Sequence, residues 1–246
     1  MNNLKQAQEI MLETLVELDR ICKKHNINYW LSSGTLLGAV RHGGFIPWDD
    51  DVDLCMLKED YELFLQVAQS ELPKTMFLQT TKSDKAYPYD SAKIRNNKAT
   101  IIEKHEVGKK VQYNQGVFID IFPMILLKKG AFFRTLQIGY FLVVKFFSYK
   151  YANIPTIRKF LVRKFFKLHN TSNEMLINSA ALPDANIYIE KEKVFALGTM
   201  KFCNKEFYVP KEYKSYLSTI YTNYMQTPPK NKQVAHAHSI TIHEGN

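Results

Sequence analysis

Residues 48–54 read Trp-Asp-Asp-Asp-Val-Asp-Leu, and this acidic stretch is the most informative part of the chain about fold and chemistry. Its alternation of charged and apolar residues is typical of a β-strand, in which alternate side chains share a face. Asp49, Asp51 and Asp53 are therefore expected to point one way, and Asp50 the other. Carboxylates about 7 Å apart along a strand repel one another unless a cation lies among them. Few, hard oxygen ligands suit Mg²⁺ that is shared with substrate phosphates, so the stretch predicts a metal-phosphate site.

Two other interpretations of the acidic stretch are a calcium-binding loop and a solvated turn. An EF-hand loop needs Gly at its sixth position and Glu at its twelfth. Counted from Asp49, those positions hold Leu54 and Asp60, which excludes an EF-hand.

A Gly-Thr pair, Gly34 and Thr35, precedes the acidic stretch by about fifteen residues. It follows a predicted strand at 29–31 and comes before a predicted short helix at 36–41. Such a turn exposes backbone N–H groups to an anion, so both residues are predicted to contact phosphate. A glycine turn for phosphate, then a helix and an Asp-x-Asp strand for Mg²⁺, is the layout of nucleotidyltransferase-type sites.

The composition is that of a soluble globular protein with one large domain or two small ones. The chain has 246 residues, of which 46% are hydrophobic and 23% are charged. These values exclude a disordered, collagenous or low-complexity protein. Its three cysteines, Cys22, Cys55 and Cys203, are too few and too widely spaced for a disulfide framework or a zinc cluster. This cysteine usage predicts a reducing cytoplasm.

The net charge of +9 comes from a single segment. Residues 121–173 hold ten basic residues and no Asp or Glu, and without those ten the chain has 23 basic and 24 acidic residues. An anionic partner is therefore expected for this segment. Its most hydrophobic part, Ala131–Tyr149, is interrupted by Arg134 and Lys145, whereas a spanning helix needs about 20 apolar residues. Neither a transmembrane segment nor a secretory signal is predicted.

The order of the predicted elements is typical of an α+β fold with a mixed sheet and flanking helices. We expect one domain over residues 1–246, with a basic-apolar helical insertion at about 128–182. The predicted helices are 3–25, 36–41, 58–72, 131–149, 156–169 and 212–221. The predicted strands are 29–31, 51–56, 76–79, 91–95, 100–103 and 117–122, with a hairpin of 194–197 and 201–209 that turns at Asn204-Lys205. The tail from Pro228 is polar and is predicted to be irregular.

A longer stretch around the acidic residues resembles the signature of the LicD family. Residues 29–53 read Tyr-Trp-Leu-Ser-Ser-Gly-Thr-Leu-Leu-Gly-Ala-Val-Arg-His-Gly-Gly-Phe-Ile-Pro-Trp-Asp-Asp-Asp-Val-Asp. The family includes bacterial phosphocholine transferases and fukutin-related ribitol-phosphate transferases. Shorter matches follow in family order at 93–100, 116–123 and 221–236, so the resemblance spans about residues 5–240. One departure is Thr222-Asn223, where the family more often has Gly-Asp.

The resemblance implies a nucleotidyltransferase-like fold and transfer of a phospho-alcohol from a CDP-linked donor. It implies that Asp51 and Asp53 hold Mg²⁺, with Mn²⁺ as an alternative, and that Asp49 lies alongside. Asp120 lies in the apolar strand 117–122, where a carboxylate is costly to bury alone. We interpret it as a third catalytic carboxylate, a general base or a ligand; a salt-bridged structural aspartate is the alternative.

Three basic residues, Arg41, Lys93 and Arg95, are candidates for binding the phosphates of the donor. Arginine offers a planar fork to phosphate oxygens, and Lys93 and Arg95 share a strand face. Ordinary surface charge is the alternative for each. His236 and His238 lie in the polar tail, and their roles are left open.

An aromatic box for a quaternary ammonium is a further hypothesis, because cations bind to the faces of aromatic rings. Its candidates are Tyr29, Trp30 and Trp48, although core packing is the preferred role for Trp30.

The leading functional hypothesis is a cytoplasmic, Mg²⁺-dependent transferase that uses CDP-choline and releases CMP. CDP-ethanolamine, CDP-glycerol and CDP-ribitol are alternative donors, and no nucleic-acid partner is expected. The expected acceptor is a cell-envelope glycan, free or lipid-linked, from lipopolysaccharide, capsule or teichoic-acid synthesis. The aromatic and basic residues of 131–169 predict binding to an anionic membrane surface, at the inner face of the cytoplasmic membrane. A nucleotidyltransferase acting on nucleic acid and a non-catalytic membrane-surface scaffold are the competing hypotheses.

Overall fold

The computed structural model describes residues 2–127, 175–178 and 187–243. The first part of the chain forms α1 (Asn2–Lys24), β1 (Trp30–Leu31), α2 (Ser33–His42), β2 (Asp53–Leu57), α3 (Lys58–Glu71), β3 (Met76–Gln79), β4 (Ala92–Glu103) and β5 (Gly116–Leu127). The later part forms β6 (Met175–Asn178), β7 (Ile189–Glu190), α4 (Lys191–Val194), β8 (Gly198–Phe202), β9 (Lys205–Val209), α5 (Tyr213–Ile220) and β10 (Ala237–Ile242). Two short 3₁₀ turns lie at Lys104–Glu106 and Lys230–Lys232.

A mixed sheet of eight strands organises the molecule. Its main path is β1-β2-β5-β4-β10, while β3 pairs with β4, and β6 and β7 extend from β5. Strands β2 and β5 are parallel, and the other pairs are antiparallel. This mixed α/β architecture agrees with the predicted sheet and flanking helices.

The predicted N-terminal helix is confirmed as α1, and it covers one face of the sheet. Apolar residues recur at steps of three and four along it and are buried: Ala7, Met11, Leu15, Leu18 and Cys22. Helix α1 packs on β4, β5 and β10, and α3 packs on β2 and β5. The Asn96 amide of β4 donates to the Thr14 hydroxyl of α1 at 3.1 Å. Because strand side chains alternate, Lys93 and Arg95 of β4 must point to the opposite face, which we call the open face.

Strand β2 begins at Asp53, two residues later than predicted. The preceding aspartates lie in an irregular segment, because other partners take their polar groups. The Asp49 N–H donates to the Ile46 carbonyl at 2.9 Å. The Asp50 carboxylate accepts the backbone N–H groups of His236 and Ala237.

The two strands predicted at 91–95 and 100–103 are one strand, β4, with a bulge between Asn96 and Thr100. The polar bulge sequence satisfies its own backbone: the Lys98 N–H donates to the Asn96 side chain at 3.1 Å. The Asn97 N–H donates to the Thr75 carbonyl at 2.8 Å. The strand therefore continues through a local irregularity that resembles a loop in the sequence.

The prediction of an irregular tail from Pro228 is wrong for Ala237–Ile242, which forms β10 and pairs with β4. Its residues are polar or half-exposed, so the sequence carries no buried-strand pattern, and pairing with β4 decides its structure. The predicted hairpin is present as β8 and β9, but it turns at Cys203 and Asn204, with φ of 49° and 65°. The first hairpin strand, predicted at 194–197, lies instead at Gly198–Phe202, because residues 191–194 form the short helix α4.

The predicted helices at 131–149 and 156–169 lie outside the described residues. Within the span of the predicted insertion, Met175–Asn178 forms β6 and pairs with β5. In the part of the chain that is described, no helix is long and apolar enough to cross a membrane.

Candidate active site

Hydrogen bonds join the start of α2 to the start of β2, and they place the predicted phosphate-binding residues Gly34 and Thr35 beside the aspartates. The Thr35 hydroxyl accepts the Asp53 N–H at 2.8 Å, and the Ser32 N–H donates to the Asp53 carbonyl at 3.0 Å. A Cβ atom on Gly34 would lie only 2.8 Å from Oδ2 of Asp49. Glycine is therefore the residue that lets this carboxylate approach the first turn of the helix.

Three charged residues form a row across three neighbouring strands on the open face. Register places Asp53 of β2 beside Asp120 of β5, and Asp120 beside Lys93 of β4. The Lys93 ammonium lies 2.7 Å from Oδ2 of Asp120, and both residues are buried. Lys93 also lies over the Phe118 ring, 3.4 Å from its centroid. The predicted catalytic Asp120 is thus paired with Lys93, and it lies beside Asp53 on the neighbouring strand.

Negative charge in the aspartate group exceeds the positive charge around it. Burial raises the pKa of Asp53 well above its usual value, and the charges of Asp51, Asp120 and Asp49 raise it further, against Lys93. Burial, then Asp51 and Asp50, raise the pKa of Asp49 to about 7. Burial also raises the pKa of Asp120, although Lys93 opposes the shift. Carboxylates whose charge is this poorly balanced favour a bound cation.

The donor set fits Mg²⁺ of the kind that shares substrate phosphates. Such an ion needs only one or two carboxylates, with phosphate oxygens and waters as its other ligands. Asp51 and Asp53 meet that requirement with hard oxygens beside the Gly34–Thr35 turn. Asp50 points away from this group: it is 1% exposed and is held by the backbone of β10.

His236 joins the site from the last part of the described chain. Its Nδ1 atom lies 3.7 Å from Oδ2 of Asp51. The interaction with Asp51, followed by the charges of Asp50 and Asp49, raises the pKa of the exposed His236 to about 9, against a smaller effect of desolvation. Its place depends on β10, which no periodicity in the tail indicates. His238, by contrast, is an exposed residue of β10.

Arg41 borders the aspartates on the side of α2. Its Nη1 atom donates to the carbonyls of Tyr224 at 2.7 Å and Gln226 at 3.3 Å. Burial lowers the pKa of Arg41, and Asp49 opposes the shift. Tyr221, which the sequence reasoning missed, faces the same group: burial raises the pKa of its phenol, and the charges of Asp53, Asp49 and Asp51 add to this. Only its position in the late family match could have indicated it.

Arg95 lies farther along the open face and is 2% exposed. Its Nε atom donates to the Gln79 side chain at 2.7 Å, and its Nη1 atom donates to the Gly116 carbonyl at 2.8 Å. The guanidinium packs over the Phe118 ring, 4.6 Å from its centroid. Arg95 is therefore no ordinary surface charge, since its donors join β3, β4 and β5. Its predicted contact with phosphate remains a prediction.

The hypothesised aromatic box does not assemble. Tyr29 and Trp30 are both fully buried. The Tyr29 hydroxyl donates to Asp19 at 2.7 Å, and the Trp30 indole donates to the Tyr216 hydroxyl at 3.2 Å. The preferred core role of Trp30 is confirmed. Trp48 lies apart from them and packs edge-on against His42, with ring centroids 6.2 Å apart.

Known proteins resemble this chain over the residues that form the site. The family described as LicD/FKTN/FKRP, nucleotidyltransferase domain, matches residues 26–146. The lipopolysaccharide cholinephosphotransferase LicD of Haemophilus influenzae is 27% identical over 95% of this chain and 95% of its own length. The human ribitol 5-phosphate transferase FKRP is 62% identical over 34 residues, which are 14% of this chain and 7% of FKRP.

Proposed function

The chain belongs to the LicD family, and from this premise we propose that it is a phospho-alcohol transferase. In the proposed reaction a CDP-linked donor transfers its phospho-alcohol to a hydroxyl of a cell-envelope glycan, with Mg²⁺ as the metal. The observation that carries this proposal is the meeting of Asp51, Asp53 and Asp120 beside the Gly34–Thr35 turn. Phosphoryl transfer depends mainly on positioning and charge stabilisation, and this arrangement can supply both.

Phosphocholine from CDP-choline is the preferred donor group. The relative that is similar over nearly the whole chain is named for phosphocholine transfer to lipopolysaccharide. The ribitol 5-phosphate transferase is similar over only 34 residues, so it supports the shared chemistry more than the choice of alcohol. A lipopolysaccharide, capsule or teichoic-acid precursor is the proposed acceptor.

The residues of the site divide the chemical work. Mg²⁺ held by Asp51 and Asp53 would neutralise charge on the diphosphate. Asp120 would accept the proton of the acceptor hydroxyl, as its oxygen attacks the distal phosphorus and the bond to CMP breaks. Lys93, at 2.7 Å, would orient Asp120 for that transfer, and it opposes the rise that burial causes in the pKa of Asp120. The first turn of α2 would orient the donor through backbone N–H groups, and Arg41 in the last turn of α2 is a further candidate for the phosphates.

A peripheral position at the inner face of the cytoplasmic membrane is part of the proposal. It is supported by the segment 121–173, which has ten basic residues, many aromatic residues and no acidic one. Basic residues near an anionic leaflet contribute about 1 kcal/mol each. Replacing Arg158, Lys159, Arg163 and Lys164 with Gln should weaken sedimentation with anionic liposomes but preserve turnover on a soluble acceptor fragment. Failure of the wild type to sediment at low salt would exclude this position.

The function is tested by incubation with CDP-choline, Mg²⁺ and a glycan acceptor, followed by mass spectrometry. Release of CMP with a gain of phosphocholine mass on the glycan supports the proposal. Incorporation of a nucleotide into nucleic acid would instead support a nucleotidyltransferase. Absence of turnover with every CDP-alcohol and acceptor would favour the non-catalytic membrane scaffold.

A further inference from the structure

We propose that three tyrosines on the open face, together with Glu103, bind the cationic headgroup of the donor. These residues, Tyr87, Tyr89 and Tyr113, are called the tyrosine cluster below. The inference rests on the proposed function, because it assigns the part of the same site that would distinguish choline from uncharged alcohols.

The tyrosine cluster continues the open face directly from the proposed catalytic aspartate. Lys93 bridges Asp120 and the Phe118 ring, and Arg95 packs over the same ring. Glu103 is the last residue of β4, and the positive charge of Lys93 lowers the pKa of its carboxylate against the effect of burial. The negative charge of Asp120 contributes to raising the pKa of both Tyr87 and Tyr89. A donor whose distal phosphate lies at Asp120 would therefore extend its alcohol toward this cluster.

The rings of the cluster are arranged edge to face around Tyr87. The Tyr87 ring lies 5.3 Å from that of Tyr89 and 6.0 Å from that of Tyr113, at interplanar angles of 68° and 83°. Tyr89 is 40% exposed, so a ligand can reach its ring. Its packing edge to face against Tyr87 limits the orientation of the ring, and its hydroxyl lies 3.1 Å from Nε2 of His105. An accessible ring of fixed orientation is what cation–π binding requires.

The Tyr87 hydroxyl provides a separate indication of a ligand. Tyr87 is 2% exposed. Among the described residues its hydroxyl has no hydrogen bond of normal geometry, although Ser91 is near enough to lower its pKa. A buried hydroxyl without a partner is unfavourable. An oxygen of a bound phospho-alcohol would satisfy it.

The charge around the tyrosine cluster favours a cation over a neutral group. The charged residues of this region are two positive ones, Lys93 and Arg95, and three negative ones, Asp120, Glu103 and Glu106. With His105 counted as neutral, their net charge is −1. The Glu106 carboxylate is already used, since it accepts from the hydroxyl of Tyr113, the amide of Gln115 and the N–H of Glu103.

Glu103 is the carboxylate of this region that we expect to interact with the positive charge of the ligand. Burial raises the pKa of Glu103, although its carboxylate accepts the backbone N–H of Glu106, and Nδ1 of His105 lies 3.9 Å from it. A quaternary ammonium between this carboxylate and the Tyr89 ring would offset that desolvation.

The test compares a cationic donor, CDP-choline, with an uncharged one, CDP-glycerol. We expect Tyr89→Leu to raise KM for CDP-choline by about 2- to 30-fold, the range of a lost cation–π contact. KM for CDP-glycerol should not change. Tyr89→Phe is the matched control: it keeps the ring but loses the contact with His105, so it should stay near the wild type. Glu103→Gln should also raise KM for CDP-choline alone, and thermal melting verifies that each variant is folded.

Three results would overturn the assignment. The first is an equal rise of the KM values for CDP-choline and CDP-glycerol in Tyr89→Leu, because it would indicate that Tyr89 contacts the nucleobase that both donors share. The second is an equal effect of Tyr89→Leu and Tyr89→Phe, and the third is no effect of either Tyr89→Leu or Glu103→Gln.

If the wild type turns over no CDP-alcohol, the proposed function fails, and the subsite is decided by titration with tetramethylammonium monitored through tyrosine NMR signals. Binding by the wild type that Tyr89→Leu weakens supports the subsite, and absence of binding rejects it.

Discussion

The two ends of the open face differ in how their charges are matched. Arg95 and Glu106 each have close hydrogen-bond partners, and these bonds join β3, β4 and β5 to the turn after β4. The pKa values of Asp49 and Asp53 are raised by burial and by the neighbouring carboxylates, and Lys93, which opposes the shift at Asp53, is already paired with Asp120. Matched charge holds the sheet together, whereas unmatched charge marks the place where a ligand should bind.

The largest effect is expected from removing one of the unmatched carboxylates. We expect Asp51→Asn or Asp53→Asn to abolish turnover, because each substitution keeps the shape but loses an anionic ligand. Without Mg²⁺ the melting temperature should hold or rise, since like-charge repulsion falls. Turnover and melting in the presence of a chelator measure the two effects. Glu62→Gln removes an exposed carboxylate as the control, and wild-type rates in either aspartate variant would remove these residues from the site.

Asp120 belongs to both regions, because it is the proposed general base and also half of a buried ion pair. We expect Asp120→Asn to lower the rate by at least about 10²-fold. Leaving Lys93 buried and unpaired should also reduce the free energy of unfolding by about 3–5 kcal/mol. The double variant Lys93→Met with Asp120→Leu should recover much of the stability but none of the activity. Activity in that double variant would show that Asp120 has a purely structural role.

Arg95 tests the matched end of the face. We expect Arg95→Met to lower the free energy of unfolding by about 3 kcal/mol, because a buried acceptor left unsatisfied costs about 1–3 kcal/mol. The rate per folded molecule should change little. Arg20→Met, which removes an exposed arginine paired with Glu17, should cost at most about 1 kcal/mol. A raised KM for the donor with unchanged melting would instead assign Arg95 to phosphate binding.

The smallest expected effect is on the pH dependence of stability without Mg²⁺. Asp49 and His236 both have raised pKa values in the folded protein, of about 7 and about 9. The folded state thus binds more protons than the unfolded state, so the stability that each group contributes falls as pH rises. For Asp49 the loss runs from about pH 4 to about pH 7, and for His236 from about pH 6.5 to about pH 9. Asp49→Asn should flatten the first part of the melting-versus-pH curve, and an unchanged slope would contradict the shift.

Local patterns account for the parts of the fold that were predicted well. The apolar steps of α1 and α3 and the proline after α3 indicate both helices to within a few residues, and both lie where expected. Strand β3 matches its predicted range. The start of β2 was misjudged because the aspartate segment before it bonds to the distant backbone of His236. The extent of β4 was misjudged because the bulge at Asn97–Lys98 bonds to a side chain and to the backbone of Thr75.

The sequence by itself determined the acidic stretch, the glycine turn before it and the family to which the chain belongs. These features lie within 25 neighbouring residues, 29–53, where residue type and spacing are enough. Only the tertiary structure decided that Lys93 pairs with Asp120, that His236 reaches Asp51, and that Trp30 is buried in the core while Tyr89 is exposed. Each of these contacts depends on strand pairing across long chain separations. Pairing register is set by the packing of whole faces, and no local periodicity encodes it.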